Sequence, residues 1–366
     1  MDSKTKTSNK KRNLILSIIS VFCLIIIIIN IRSWFNAYIE RVVILSVIYA
    51  ICAMSMNLVN GFTGLFTLGQ PGFMAIGAYV YALLSLTPQA KAAQFYIKPI
   101  VPFLGNVQLN PWIAMIVGGF AAAVAAFLIG FPVLRLKGDY LAIASLGFAE
   151  IIRLLITNGQ SITNGPSGLK TIPSILTIEL SFLILAVFAV LLLSLVRSSY
   201  GRAYKAIRED EIAASSVGVY LFKFKMQAFI ISGFMAGVGG AMLASVLGTI
   251  DPNQFRFTLV YMLLLMVILG GQGSLSGSIV GAFIITIGLE VLRFIDEPIN
   301  FGFWQYPGIA GMRMVLFSII LMFILLFWKR GIFGDKEFSW DRLFGGVRRL
   351  CNRNKTSGKH GRGDDK

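Results

Sequence analysis

Long apolar runs dominate the chain and alternate with short polar segments. A run of roughly 20 apolar residues is long enough to cross about 30 Å of hydrocarbon as a helix. Because the backbone must satisfy its own hydrogen bonds inside lipid, such runs are helical. The pattern predicts an all-α polytopic membrane protein, a bundle of about ten transmembrane helices. The predicted spans are 14–31, 42–59, 65–86, 111–132, 140–157, 179–196, 226–247, 258–269, 276–295 and 311–328.

Three of these spans are less regular than the others. Glycine and proline interrupt 65–86, and 258–269 is short. Span 14–31 follows a basic segment, as the apolar region of a signal peptide does, but it is longer than such a region and lacks a small-residue cleavage site. We therefore expect it to be retained as the first span.

The composition agrees with a membrane protein and narrows the chemistry. Of 366 residues, 56% are hydrophobic and 14% are charged, whereas soluble domains average about 45–50% and about 25%. The chain has a single histidine, His360, and three cysteines without a useful spacing. These residues give no support for a zinc site, a histidine-based catalyst or a disulfide framework. Neither GxSxG nor HExxH occurs. We expect no catalytic residues, no metal and no cofactor in this chain.

The distribution of lysine and arginine predicts the orientation, since short loops rich in these residues lie on the cytoplasmic side of the membrane. With the N-terminus inside, the cytoplasmic segments hold most of these residues, which also accounts for the net charge of +16. We expect a basic cytoplasmic N-terminus at 1–13, a transmembrane domain at 14–328 and a basic, disordered cytoplasmic tail at 329–366. The tail has the charge to contact anionic lipid. Without aromatic interleaving, it gives no reason to expect nucleic-acid binding.

Two pairs of ionisable residues lie inside predicted spans. Glu150 and Arg153, and likewise Glu290 and Arg293, have the i,i+3 spacing that places both side chains on one helix face. Buried charges in membranes are costly and commonly functional, so each pair is a candidate for handling substrate or protons. A self-neutralised pair whose arginine reaches the interface is the alternative, and the sequence leaves both open.

Glycine, with 37 copies, forms three clusters that interrupt the apolar runs or the loops between them. In membranes, glycine lets helices approach closely. Glycine or proline breaks also create half-helices whose freed backbone groups line a cavity. The clusters therefore indicate either tight helix packing or a substrate path. The candidate path residues are Gly69, Gln70, Gly72, Asn164, Gly165, Gly168, Gly270, Gly271 and Gly273.

A predicted cytoplasmic loop at 197–222 contains good helix formers from 202 to 217. Its small residues recur at near-helical spacing, and the stretch is too short and polar to span the membrane. The pattern predicts a short amphipathic helix that projects from the bundle and is closed by Gly218. Such a helix fits the groove of a partner protein; a solvated connector is the other interpretation.

The same loop resembles the EAA loop of ABC importer permeases, since Glu211, Ala213, Ala214 and Gly218 follow its spacing. In that family the loop forms the coupling helix, which docks into a cleft of the cytoplasmic ATPase. The wider string 201–211 is similar to the branched-chain amino acid permease family, in its second (M-type) membrane subunit. The resemblance implies these ATPase-coupling residues: Gly201, Arg202, Arg208, Glu209, Asp210, Glu211, Ala213, Ala214 and Gly218.

Other segments extend the resemblance in order over about 57–282. Two departures stand out, because Ser278 replaces a frequent proline and Lys205 is uncommon in the loop. The termini, roughly 1–32 and 329–366, match nothing in the family. The matching segments are 69–79, 134–142, 164–168, 251–252 and 269–274.

The resemblance implies a permease subunit, not an enzyme, that imports branched-chain or other hydrophobic amino acids. It implies a second, paralogous permease subunit, two cytoplasmic ATPase subunits that hold ATP and Mg, and an extracytoplasmic substrate-binding protein. The location would be the cytoplasmic membrane of a bacterium or archaeon, with both termini inside. The chain has no Walker A motif, so ATP would be hydrolysed by other chains.

Two alternatives remain open on the sequence. Permeases for urea, short amides or aromatic amino acids resemble the same family. An ion-driven secondary carrier would be a different class of transporter, with Glu150 and Glu290 as its only intramembrane acidic candidates. Such a carrier would give no reason for an EAA-like loop.

Overall fold

Helices joined by short loops form nearly all of the chain that the structure describes. The computed structural model describes residues 36–96, 98–296, 299–300, 305–306, 311–327, 331–332 and 334. The α-helices in these ranges are α1 (Ala37–Asn57), α2 (Gln70–Ser85), α3 (Pro88–Gln94), α4 (Pro102–Gly105), α5 (Pro111–Val133), α6 (Asp139–Asn158), α7 (Gln160–Thr163), α8 (Ile178–Arg197), α9 (Ser199–Glu209), α10 (Glu211–Ser216), α11 (Leu221–Leu247), α12 (Phe257–Gly270), α13 (Leu275–Val291) and α14 (Met312–Phe327).

Shorter elements complete the described chain. A π-helical turn at Leu58–Phe62 continues α1, and 3-10 turns occupy Gly165–Ser167, Pro252–Phe255 and Leu292–Ile295. The strands β1 (Ile299–Asn300) and β2 (Gln305–Tyr306) form a two-residue antiparallel pair. The architecture is therefore helical, and β-pairing in the described ranges consists of this short pair and one isolated antiparallel bridge between Leu169 and Ile250.

Five of the described helices are long and apolar enough to cross a membrane: α1 with its π turn, α5, α6, α8 and α11. Helices α2 and α3, bent by 116° relative to each other, count as a sixth if they form one span. Helices α12 and α13 are apolar but have only 14 and 17 residues. The all-α membrane fold is confirmed. The number of ten spans stays a prediction, and span 14–31 lies outside the described residues.

One predicted span differs from the helix that forms. The predicted span is 65–86, but α2 starts only at Gln70, so residues 65–69 lie before the helix. Pro71 lies in the first turn of α2, where its missing N–H costs nothing, whereas proline further inside a helix would break it. Elsewhere the helix ends lie within a few residues of the predicted ends, apart from two starts: α1 begins at Ala37 rather than at 42, and α11 begins at Leu221 rather than at 226.

Helix α11 lies at the centre of the bundle and packs against α1, α2 and α5. Small residues allow this approach. A β-carbon added at Gly118 of α5 would lie 2.8 Å from the carbonyl oxygen of Gly77 on α2. At Gly240 of α11 it would overlap the backbone carbonyl of Met74 on α2. Because lipid tails are as apolar as the side chains, close backbone contact of this kind is what holds membrane helices together.

Replacing Gly240 with alanine should destabilise the bundle, because the added carbon has no space beside the Met74 carbonyl. Overpacking of this kind costs about 1–3 kcal/mol. Gly147→Ala on α6 is the matched control, since its β-carbon would meet no atom within 4 Å in the described part of the chain. Thermal inactivation of the detergent-extracted variants measures the difference, and equal stability of the two would contradict this account of the core.

The segments that connect the helices lie at the two ends of the bundle. At the first end, Phe131 near the end of α5 meets Phe222 at the start of α11, with ring centroids 5.8 Å apart. At the second end, the amides and carbonyls of Leu169 and Ile250 exchange hydrogen bonds of 2.9 and 2.8 Å. The basic segments 133–139 and 197–225, predicted to share the cytoplasm, thus lie at the same end, which we name the basic end.

Candidate functional site

The loop between α8 and α11 folds into two short helices, which corrects the prediction of one continuous helix over 202–217. Asp210 has φ −160° and ψ 117°, outside the helical region. Its carboxylate accepts hydrogen bonds from the backbone N–H groups of Ile212 at 2.7 Å and Ala213 at 2.9 Å. An aspartate in this position caps the helix that follows it, so α9 ends and α10 begins at Asp210.

One face of α9 and α10, which together we name the coupling segment, is anchored to the bundle. Tyr204, Ile207 and Ala214 are buried, and a β-carbon at Gly201 would overlap the carbonyl of Val196. Burial raises the pKa of Tyr204 to about 12, and its hydroxyl has no hydrogen-bond partner among the described residues. The predicted coupling residues Gly201 and Ala214 therefore pack inward, against this chain.

Large apolar side chains are exposed on α10 and in the residues that follow it. Ile212 and Val217 are each 79% exposed and Tyr220 is 78% exposed. Gly218 has φ 86°, and the N–H of Val219 donates to the carbonyl of Ala214 at 3.1 Å, a helix ending that favours glycine. Sequence reasoning overlooked these three apolar residues, although their presence in a charged loop was a signal. We name Ile212, Val217 and Tyr220 the apolar patch.

Charged residues of the coupling segment pair within the chain. Lys225, on the first turns of α11 and only 7% exposed, forms an ion pair with Glu211 at 2.5 Å. Arg208 and Glu209 form a second pair at 2.8 Å. Arg202 donates to the hydroxyl of Ser199 at 2.8 Å. The Glu211 pair fixes α10 to α11, and Lys225 was not predicted because nothing in the loop pattern points to it.

Asn57 connects the end of α1 to the third glycine cluster. This side chain is fully buried at the end of α1. Its oxygen accepts from the N–H of Gly273 at 2.9 Å, and its nitrogen donates to the carbonyl of Ser274 at 2.9 Å and to the hydroxyl of Ser278 at 2.6 Å. Ser278, a departure from the family pattern, thus supplies a buried polar contact here. Asn57 holds the turn between α12 and α13 against α1.

Gln70 and its neighbouring glycines face the interior. The Gln70 amide donates to the hydroxyl of Ser232 on α11 at 2.6 Å. A β-carbon at Gly72 would lie 2.9 Å from Cα of Ala149 on α6, and one at Gly69 would lie 3.3 Å from the carbonyl of Ser145. In the third cluster, Gly270 packs on the backbone of α13 in the same way. In this conformation the two clusters serve close helix packing.

The Asn164 cluster lies at the second end of the bundle, apart from the other two. Asn164 has φ 60° and donates from its amide to the carbonyl of Gly168 at 2.8 Å. Gly168 packs against the backbone of Ile250. A β-carbon added at Gly165 would lie 3.1 Å from the carbonyl oxygen of Thr157. The structure therefore does not bring the predicted path residues into one surface.

The coupling segment touches the turn that ends α1. Arg208 donates to the carbonyl of Gly61 at 3.1 Å, and Gly64, with φ 71°, would place a β-carbon 3.0 to 3.3 Å from Arg208. A β-carbon at Gly61 would lie 2.5 Å from the nitrogen of Gly273. These contacts run from α9 through the π turn to the break between α12 and α13. We name Asn57, Gly61, Arg208 and Gly273 the coupling junction; single π turns occur frequently at functional sites.

Both predicted charge pairs form. Arg153 Nε lies 2.9 and 3.0 Å from the two oxygens of Glu150. Arg293 lies 3.2 Å from Glu290, donates to the hydroxyl of Tyr38 at 2.9 Å and has its guanidinium 5.5 Å from the centre of that ring. Glu150 differs from Glu290 in lining an open groove of about 480 Å³ between α2, α6 and the start of α12.

Comparison with known proteins establishes the family to which this chain belongs. A family model described as "Branched-chain amino acid transport system / permease component" matches residues 38–326. The chain belongs to this family. The matched range includes the coupling segment, the coupling junction and both charge pairs, so all of these features lie within the family domain of this permease.

Individual relatives are similar to this permease over part of their length. The high-affinity branched-chain amino acid transport system permease protein LivM of Escherichia coli strain K12 is 36% identical over an alignment 287 positions long, which covers 69% of this chain and 63% of the relative. A probable branched-chain amino acid transport permease protein LivM of Methanocaldococcus jannaschii is 24% identical, covering 79% and 91%. The autoinducer 2 import system permease protein LsrC of Enterobacter sp. strain 638 is 30% identical, covering 57% and 61%.

The permease thus spans less than two thirds of the length of the Escherichia coli relative. No solved structure matches it. In the part of the permease that the structure describes, no group of three or more His, Cys, Asp or Glu side chains is placed to hold a metal ion.

Proposed function

We propose that this permease is the membrane subunit of an ATP-binding-cassette importer that moves branched-chain or other hydrophobic amino acids into the cell. The observation that carries the proposal is the family match over 38–326 together with a projecting segment that exposes an apolar patch. The relative named for branched-chain amino acid transport is 36% identical over 69% of the chain, against 30% over 57% for the one named for autoinducer 2 import. Amino acids are therefore the favoured substrate.

The proposed energy source is ATP hydrolysed by two separate cytoplasmic ATPase subunits, which would bind the ATP and Mg. The apolar patch, in α10 and the residues after it, would enter a groove on an ATPase subunit, since burying one large apolar side chain contributes roughly 1.5–3 kcal/mol. A second permease subunit and an external substrate-binding protein complete the proposed assembly. The coupling junction would carry movement of α9 and α10 to the break between α12 and α13, shifting a two-state bundle between outward and inward access.

The proposed orientation places the basic end and both termini in the cytoplasm, in agreement with the positive-inside rule. Single cysteines at two exposed serines test it. In a background without the native cysteines, Ser167→Cys at the second end should react with an impermeant thiol reagent on intact cells, and Ser215→Cys in α10 should react only after lysis. The reverse labelling pattern would invert the topology.

Radiolabelled uptake by the assembled transporter tests the function. With the binding protein, both permeases and the ATPases present, we expect ATP-dependent leucine uptake that isoleucine and valine compete with, and urea does not. Competition by phenylalanine would indicate a broader hydrophobic range. Uptake that persists without ATPase subunits and follows an ion gradient would instead establish a secondary carrier.

A further inference from the structure

The groove beside Glu150 places one carboxylate in otherwise apolar surroundings. Its walls include Pro71 at the start of α2, and Ile143 and Leu146 on α6. Phe255, in the 3-10 turn before α12, and Phe257, the first residue of α12, complete the apolar walls. Pro71 lies between two of the glycines predicted to mark a substrate path, and α2 packs on α6 there through Gly72. The groove therefore adjoins the predicted path, although those glycines are themselves packed inside.

Glu150 lies near the middle of its span. It is eleven residues after the first residue of α6 and eight before the last, which at about 1.5 Å per residue places it roughly 16 Å and 12 Å from the two ends. Its side chain is 46% exposed, whereas that of Arg153 is 15% exposed. Glu150, which lines the groove, is thus the more exposed member of the pair. A carboxylate open to lipid at this depth is costly, so the groove is better suited to a polar occupant than to acyl chains.

We propose that this groove is a contact site for the transported substrate, and that Glu150 binds the ammonium group of a zwitterionic apolar amino acid. The inference rests on the proposed function. A carboxylate has about four acceptor positions and Arg153 engages it through two nitrogens, which leaves acceptor capacity for an ammonium. Arg153 is not among the residues that line the groove, so its role is to hold the Glu150 carboxylate in place. Ile143, Leu146 and Phe255 supply the apolar surface for the side chain.

Charge reversal separates this role from mutual neutralisation of the pair. The double variant Glu150→Arg with Arg153→Glu keeps an i,i+3 ion pair but presents a cation to the substrate ammonium. We expect it to lower the initial rate of leucine uptake at least about tenfold, the effect of losing one charge-assisted hydrogen bond, with the ATPases still copurifying. The same reversal at Glu290 and Arg293, a pair outside the groove, should retain uptake.

A second measurement covers the case in which the reversed pair fails to assemble. In a cysteine-free background, Gly147→Cys lies in the groove one turn from Glu150, and a side chain there has space. In the assembled transporter it should react with a cationic, membrane-impermeant thiosulfonate reagent, more slowly when leucine and the binding protein are present. Leu155→Cys is the control, because this residue is 68% exposed on the same helix but does not line the groove.

The outcomes distinguish the site from the function. Leucine uptake by the native complex, lost on reversal at Glu150 and Arg153 and accompanied by leucine-protected labelling of Gly147→Cys, supports the site. Near-native uptake by the reversed pair overturns it and leaves the importer function intact. A Gly147→Cys thiol as unreactive as that of Leu155→Cys overturns it too, because a second permease or lipid then covers the groove. Absence of leucine uptake by the native complex overturns both.

Discussion

Replacing Ile212 with aspartate should abolish uptake while leaving the membrane bundle folded. Ile212 is 79% exposed on α10, so aspartate there is hydrated and costs the isolated permease little. In the proposed complex the same residue enters a groove of the ATPase, where an unpaired carboxylate is strongly unfavourable. Copurification of the ATPase, substrate-stimulated ATP hydrolysis and uptake should all fall, and membrane insertion should not.

The control for this variant lies at the other end of the bundle. Phe103 is also 79% exposed, and Phe103→Asp should leave recovery of the ATPase unchanged. Ala214→Trp is a poorer test than Ile212→Asp, because Ala214 is packed against the bundle and a tryptophan there disturbs the anchoring itself. If Ile212→Asp retains both ATPase and uptake, the coupling segment is only a connector and the ion-driven carrier becomes the better explanation.

Replacing Asn57 with leucine should cause a large loss of stability. Leucine is similar in size but leaves the buried Gly273 N–H without its acceptor. It also removes the bonds from Asn57 to the Ser274 carbonyl and the Ser278 hydroxyl, although these two groups still bond each other. Each buried polar group left unpaired costs about 1–3 kcal/mol. We expect loss of the ordered turn between α12 and α13, with uptake lost even in molecules that remain inserted.

Ser46→Ala is the matched control for Asn57→Leu. Ser46 is buried on the same helix, but among the described residues its hydroxyl bonds only the Val42 carbonyl one turn back, at 2.9 Å. Its removal should change the thermal inactivation temperature and uptake little. Thermal inactivation and uptake of both variants measure the difference. Indistinguishable results for the two would show that Asn57 does not hold the junction.

The length and apolarity of the helices could be predicted directly from the sequence. Helix α5 (Pro111–Val133) and helix α8 (Ile178–Arg197) end within a residue or two of their predicted spans, because lipid allows an apolar run of that length no other backbone arrangement. The sequence also predicted that Gly218 closes the helix of the coupling segment, and this glycine has the left-handed φ of 86°. Such features depend on residues within one or two turns of one another.

The division of the coupling segment at Asp210 was missed although its cause is local. The helix formers on both sides predicted continuity, and the side chain of Asp210 competes for the next N–H groups instead. Which face of the segment turns outward depended on the packing of Tyr204 and Ala214. The apolar patch therefore became visible only once the bundle beside it was in place.

The sequence by itself determined the class of this protein: an all-α membrane bundle with breaks at glycine clusters, a projecting basic-end loop and membership of a permease family. The tertiary structure decided how these parts meet. Asn57 and Gly273 are 216 positions apart, and Glu211 finds Lys225 on another helix. The opening of Glu150 into a groove likewise depends on how α2 and α12 lie beside α6. Helix formation in lipid is dictated locally by hydrogen bonding, whereas these contacts depend on which helix faces pack together.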